Sequence, residues 1–198
     1  MILKRETIEK MLLENNGVLK TSDVLAAGIS KDIFYKYAKE TGLEKAAHGI
    51  YVSPDVLADG MYLLQAQFPK AVFSHEAALY LHDLAEKEPL PFSVTVAASY
   101  NSGGLVKKGV KVYYVKAEWY GMGVCEVLSN GGHSIKAYDM ERTICDIIRK
   151  RSDMDIAVFN YAVREYMKKK SKSLVNLSYY AAVMRIERQM NEIMGVLF

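Results

Sequence analysis

Three groups of side chains in this sequence have types and spacings that chemistry could use. The first is a histidine pair. His75-Glu76-Ala77-Ala78 opens like the helical zinc motif whose second histidine lies four residues on, one turn along the same face, but Leu79 stands in that place. The next histidine, His82, is two turns away, too far for both rings to hold one ion. The expectation is therefore no metal and no cofactor, with His75 beside a helix cap at Ser74 and His82 at a helix end. The second group runs from Asp139 through Glu141 and Arg142 to Asp146. Two neighbouring carboxylates suit a nuclease-type metal, but no lysine follows where such a site needs one. The simpler reading makes Asp139 an N-cap, puts Glu141 and Arg142 in the first turn, and pairs Arg142 with Asp146 four residues later. The third group is Lys31, Asp32, Tyr35, Lys36 and Lys39, a cationic and aromatic set with the chemistry of a nucleic-acid contact.

That third set needs a helix to present it. Phe34, Tyr37, Ala38 and Thr41 recur at i, i+3, i+4 and i+7, which makes them the packed face and leaves the lysines and Tyr35 outward. The surrounding fifty residues are short and well punctuated. Ile8, Met11 and Leu12 predict a helix over 7–15, ended by Asn16-Gly17. Thr21 or Ser22 would cap a second helix over 23–27, and Ser30 a third over 31–41 that stops at Gly42. Strands are predicted at 43–46 and 49–52 around a turn at His48-Gly49, with Pro54 closing the unit. Three short helices and a hairpin follow the order of a winged helix-turn-helix. The link Ala27-Gly28-Ile29-Ser30 supplies a glycine for positive φ, an apolar plug for the angle between helices, and an N-cap.

In that arrangement Lys31, Asp32 and Tyr35 lie nearest the base edges of a major groove, and Lys36 and Lys39 neutralise phosphates. Ser30 adds a hydroxyl at a helix N-terminus, where backbone N–H groups favour an anion. The wing contributes Lys45 and His48, the latter a weak choice because an unperturbed imidazole is mostly neutral at pH 7. Residues 1–52 hold eight Lys plus Arg against seven Asp plus Glu, so the turn chemistry, and not bulk charge, carries this reading.

From about residue 61 the pattern is mixed α/β. Helices are predicted over 61–68 and 74–84, strands over 92–97 and 109–116, and further strands near 124–128 and 133–138. Residues 100–105, with Gly103-Gly104, read as an exposed loop. Three helices close the chain, over 140–149, over 153–169 with Asp153 as cap, and from Ser173 or Ser178 to about 194. The expected division is residues 1–56 and 61–198, with the boundary between 54 and 60. Residues 149–172 carry eight basic side chains against three acids. Arg149, Lys150, Arg151, Lys168, Lys169 and Lys170 form a second basic concentration that would either serve solubility and helix C-termini or touch nucleic acid or an acidic partner.

Composition bounds the classes. The 198 residues are 51% hydrophobic and 25% charged, enough apolar material for real cores and not the balance of a disordered chain. A net charge of +3 restricts any nucleic-acid site to a local patch. Two cysteines, Cys125 and Cys145, both in apolar surroundings, predict buried thiols in a reducing cytoplasm. Charges at Lys4, Arg5 and Glu6 interrupt what a signal peptide would need, and no stretch reaches the roughly 18 apolar residues of a membrane span, so a cytoplasmic protein is expected. No phosphate-binding loop, dinucleotide fingerprint or nucleophile elbow is present, and no catalytic residue is expected.

Several segments resemble one family. Gly28-Ile29-Ser30-Lys31, Gly42-Leu43-Glu44-Lys45 and His48-Gly49-Ile50-Tyr51 are similar to the N-terminal winged domain of the AbiEi antitoxins of type IV abortive-infection toxin–antitoxin systems. Phe73 to Leu84 resembles that family's Ser-x-x-(Ser/Ala)-Ala helix, and Arg142-Thr143-Ile144-Cys145-Asp146 its Arg-Thr-x-x-Asp segment, in the family's order. Members often carry Arg before the wing's Gly-x-Tyr, where this chain has His48. The resemblance implies a repressor that binds inverted repeats in its own operon promoter on double-stranded DNA. It also implies a C-terminal domain that counteracts a nucleotidyltransferase toxin without a stable complex, and it implies no catalytic residue. Two other classes fit the residues alone: a metal-dependent nuclease using Asp139 and Glu141, and a protein-interaction module.

Overall fold

The computed structural model describes residues 2–197 and contains, among them, eleven helices and two sheets in an α+β arrangement. The chain forms two compact units. One comprises residues 1–69 with 128–135, the other residues 70–127 with 136–198.

The first unit begins with α1 (Ile2–Glu14), β1 (Val18–Lys20), α2 (Thr21–Ala26) and α3 (Lys31–Thr41). It continues with β2 (Glu44–Ala47), β3 (Ile50–Val52) and α4 (Gly60–Gln67). α1 starts five residues before the predicted position. Thr7, read as its beginning, lies inside it and returns its hydroxyl to the Leu3 carbonyl at 2.8 Å. β1 was not expected, because three residues are too few to show a period. It pairs antiparallel with β3, Val18 opposite Val52, and β2 pairs with the other edge of β3 through a bulge between Lys45 and Ala47. Thr21 is not a cap. It is already helical, Lys20 takes the cap position, and no side chain bonds the first turn of α2.

Ile8, Leu19, Val24, Ile29, Phe34 and Tyr37 form one core of this unit, and Tyr51 meets Phe34 edge-on at 5.0 Å. Val18, Ile50 and Val52 form another, covered by Tyr62, Leu63 and Ala66 of α4. That packing moves the boundary from the expected 54–60 to between Pro69 and Lys70. This small sheet is apolar on both faces, Leu19 and Tyr51 on one and Val18 and Val52 on the other, and α4 is what covers the second. Asp59 caps α4 by accepting from the Tyr62 N–H at 3.0 Å, and its carboxylate also meets Ser129 and His133 of the 128–135 segment.

Apart from Leu128, Ser134 and Ile135, the second unit contains β4 (Val72–Phe73), α5 (His75–Leu81), β5 (Ser93–Ala97), α6 (Gly103–Lys107), β6 (Lys111–Val115), α7 (Ala117–Tyr120), β7 (Val124–Leu128) and β8 (Ser134–Tyr138). α8 (Met140–Arg149), α9 (Ile156–Lys168), α10 (Leu174–Val183) and α11 (Glu187–Leu197) complete it. The sheet order is β6-β5-β4-β8-β7, with β5 parallel to β6, β4 antiparallel to β5, and β4 parallel to β8. Ser93 to Val96 are all buried, as in a strand covered on both faces. The largest core gathers Leu79, Ile144, Ile147, Phe159, Tyr166, Leu177 and Met190 around α8.

Four boundaries differ from expectation. The 100–105 stretch is not an open loop throughout, since α6 begins at Gly103 with the Asn101 side chain accepting its N–H at 3.1 Å. α5 stops at Leu81 and not at 84. Asp83 turns left-handed (φ 55°), and the Asp83 and Leu84 N–H groups donate to Tyr80 and Leu79, the Schellman closure usually built on glycine. The same closure at Arg185 (φ 57°), with Ile186 donating to Ala181, splits the last predicted helix into α10 and α11. Finally Asp155, not Asp153, caps α9, accepting from the Ala157 N–H at 2.7 Å and the Val158 N–H at 3.3 Å, while residues 151–153 form a 3-10 turn. No helix among the described residues is long and apolar enough to cross a membrane.

Candidate nucleic-acid interface

α3 divides as its spacing predicts. Phe34, Tyr37 and Ala38 are buried, while Lys31, Asp32, Tyr35, Lys36 and Lys39 are exposed. The side chains at 31, 35 and 39 are spaced one helical turn apart, so this face presents a cationic and aromatic stripe about 12 Å long. Tyr35 is half-exposed; its ring lies 5.8 Å from Phe34 and 6.1 Å from Tyr51, which fixes its direction. Lys31 and Lys39 have no carboxylate within ion-pair distance among the described residues. Lys36 faces Glu40 at 3.9 Å, an exposed pair that contributes little and yields readily to a phosphate.

The link before α3 also follows its chemistry. Gly28 is left-handed (φ 79°) with open space where a Cβ would stand, and Ile29 is buried against the core. Ser30 occupies the N-cap position in extended conformation, but its hydroxyl makes no bond to the helix. It remains exposed beside the first-turn N–H groups. In the β2–β3 hairpin, Lys45 of β2 and His48 of the turn are exposed and Gly49 is left-handed (φ 70°).

Arg5 was not anticipated here, for nothing in the local pattern of α1 sets it apart. It reaches α3 through Glu40 at 3.8 Å and lies over the Tyr37 ring at 5.5 Å. With Ile8, Asp32, Ile33 and Lys36 these residues line a groove of about 380 Å³ between α1 and α3. Burial raises the Tyr37 phenol above its ordinary pKa, Glu9 adds to that, and Arg5 opposes it.

The second basic concentration is not one patch. Arg149, Lys150 and Arg151 precede α9, and Lys168, Lys169 and Lys170 follow its last turns, about 18 Å away along the helix axis. Most of these charges are engaged locally. Arg149 lies over Trp119 and Arg151 over Phe159, while Lys150 pairs with Asp153, Lys168 with Glu165 and Lys169 with Asp83.

The carboxylates that could suggest a nuclease are likewise occupied. Asp139 accepts from the Arg142 N–H at 2.7 Å and the Tyr180 hydroxyl at 2.9 Å. One oxygen of Glu141 accepts from the Tyr166 hydroxyl at 3.1 Å and the Ser173 N–H at 2.7 Å. Arg142 is fully buried and donates to Asp146 at 3.1 Å and to the Trp119 and Met122 carbonyls at 2.6 and 2.9 Å. Burial pushes Asp146 up to about 6, against the pull of Arg142.

His75 is buried with its ring stacked 3.5 Å from Tyr113, and Ser74 Oγ lies 3.0 Å from its Nδ1. His82 ends α5 and bonds the Tyr138 carbonyl at 2.7 Å. Among the described residues no three His, Cys, Asp or Glu side chains gather as a metal site would require. Cys145 is buried and Cys125 half-buried, and burial pushes their thiols up to about 12 and about 11.

Comparison with protein-family models and with curated proteins finds no match to this chain.

Proposed function

We propose that this chain is a DNA-binding transcriptional regulator in which α2 and α3 act as a helix-turn-helix and the β2–β3 hairpin as its wing. The observation that carries the reading is the division of α3: its apolar side is buried, and Lys31, Tyr35, Lys36 and Lys39 face solvent together. The element order α1-β1-α2-α3-β2-β3, with β3 central in the small sheet, supports it, because winged helices use that order to set a hairpin beside the reading helix. In the complex, Lys31, Asp32 and Tyr35 reach base edges from the N-terminal half of α3. Lys36, Lys39 and Lys45 neutralise phosphates, and Ser30 with the adjoining N–H groups holds another.

The target and the role of the second unit follow from the AbiEi resemblance. The target is then an inverted repeat in the chain's own promoter, and the second unit counteracts a nucleotidyltransferase toxin in the same operon. The test is binding of labelled duplex from upstream of the gene, measured at two salt concentrations for the native chain and for Lys31→Ala, Tyr35→Ala and Lys39→Ala. Loss of a base-edge contact should cost about 1–3 kcal/mol and relax specificity at one position. Binding that is unchanged in all three variants would remove α3 from the interface and with it the proposal.

A further inference from the structure

Among the described residues, α10 is the one helix of the second unit built without a charged residue. Leu177, Tyr180 and Ala181 pack it against the core around α8. Its other side is also largely apolar. Val175 is 79% exposed, Tyr179 60% and Leu174 52%, and Ala182 is exposed beyond them. Val175, Tyr179 and Ala182 stand at i, i+4 and i+7, so they form one continuous stripe along a helix about 15 Å long. A solvated helix face would normally carry Glu, Lys or Gln in these places. Cations stand at both ends of the stripe. Lys170 and Lys172 precede α10, and Arg185 follows it in a left-handed conformation that turns the chain away. Lys170 and Arg185 are exposed and have no carboxylate within ion-pair distance among the described residues.

We infer that this face is a docking surface for a partner protein's amphipathic helix, with an apolar stripe set against Val175 and Tyr179 and carboxylates at its two ends. The stripe spans about two helical turns, the footprint of a helix laid on a helix. The end charges select the partner. A second copy of this chain would bring Lys170 against Arg185 if the two α10 helices ran antiparallel, and Lys170 against Lys170 if parallel; both juxtapositions repel. An acidic helix makes charge-assisted contacts at both ends. The inference concerns the second unit alone and stands or falls separately from DNA binding by α3.

The test uses the full chain, isotope-labelled for amide NMR, and two synthetic helical peptides with the same leucine stripe, one flanked by glutamates and one by lysines. The expected result is shift changes centred on α10 with the glutamate peptide only, and affinity that falls roughly tenfold between low salt and about 0.5 M as the end charges are screened. Val175→Asp, at an exposed position, should abolish the response with an unchanged circular dichroism spectrum. The pair Lys170→Glu with Arg185→Glu should switch preference to the lysine peptide. Equal response to both peptides, changes located away from α10, or no response to either would overturn the inference. So would self-association of the free chain lost in Val175→Asp, or binding to phosphatidylglycerol vesicles without peptide binding.

Discussion

The Asp59 carboxylate holds the ring of His133, 74 residues further along the chain, at 2.9 Å. The same carboxylate caps α4 through Tyr62 and accepts from the Ser129 hydroxyl, and the His133 ring stacks on Tyr62 at 4.1 Å while its other nitrogen faces the Asn15 carbonyl at 3.2 Å. The side chains of Asp59 and His133 are both nearly inaccessible to water. Asp59→Ala should therefore lose a cap and leave the buried His133 Nδ1 without its partner, while the Ser129 hydroxyl keeps the His133 carbonyl at 3.1 Å; the cost is about 2–4 kcal/mol. Hydrogen exchange would register it as lost protection in α4 and at 128–135. Protection equal to the native chain's would mean that water replaces the carboxylate at no cost.

Arg142 and Asp146 make a second such relationship, a buried pair on one face of α8. Arg142→Met leaves an uncompensated carboxylate and releases the Trp119 and Met122 carbonyls, and should destabilise by about 3–5 kcal/mol. Adding Asp146→Leu should recover part of that loss, since the stranded charge is then gone. Denaturant titration of the two single variants and the double gives the coupling directly. Strict additivity would show that the pair does not act as a unit.

His75 sets a pH dependence. Burial first, and then the neighbouring Lys111, Arg142, Lys150 and Arg149 charges, hold its pKa well below the ordinary histidine value. The unfolded chain thus takes up this proton near pH 6.5 while the folded chain does not, so the stability contributed by a neutral His75 is present above that pH and is lost as pH falls below it. The slope from this one proton is at most about 1.4 kcal/mol per pH unit. His75→Gln should flatten the fall between pH 6.5 and 5.5 relative to the native chain. Parallel stability curves would contradict the assignment.

Two glycines in left-handed conformation separate backbone strain from steric collision. A Cβ at Gly28 (φ 79°) meets nothing within 4 Å, so Gly28→Ala should cost about 1–2 kcal/mol from conformation alone. At Gly123 (φ 76°) the same atom would lie 2.7 Å from Arg142 Cβ, so Gly123→Ala should cost distinctly more and displace the Arg142 contacts. Thermal unfolding of the two variants side by side decides it; equal losses would mean that the Arg142 site gives way freely.

Asp83 carries the reverse expectation. It is left-handed at the end of α5, and its ion pair with Lys169 is 3.5 Å long with the carboxylate 91% exposed. Asp83→Gly should stabilise the chain by about 1 kcal/mol by removing the strain of a side chain in that conformation. A lower melting temperature would show that the pair with Lys169 matters more than the backbone.

Local order alone determined much of this protein. The face of α3, the glycine turn with Ile29 as plug, the capping of α8 by Asp139 and the Arg142–Asp146 pair all follow from helical period and from contacts within about four residues, which a sequence displays directly. Tertiary structure decided the rest. β1 is a strand because β3 supplies its partner 30 to 34 residues away, and α4 joins the first unit because the small sheet needs cover on its second face. The helix ends at Asp83 and Arg185 carry no glycine to announce them; the surrounding packing holds ordinary side chains in a left-handed turn. The bond between Asp59 and His133, like the pair of Lys169 with Asp83, depends on which distant groups folding brings within 4 Å, and no period along the chain encodes that distance.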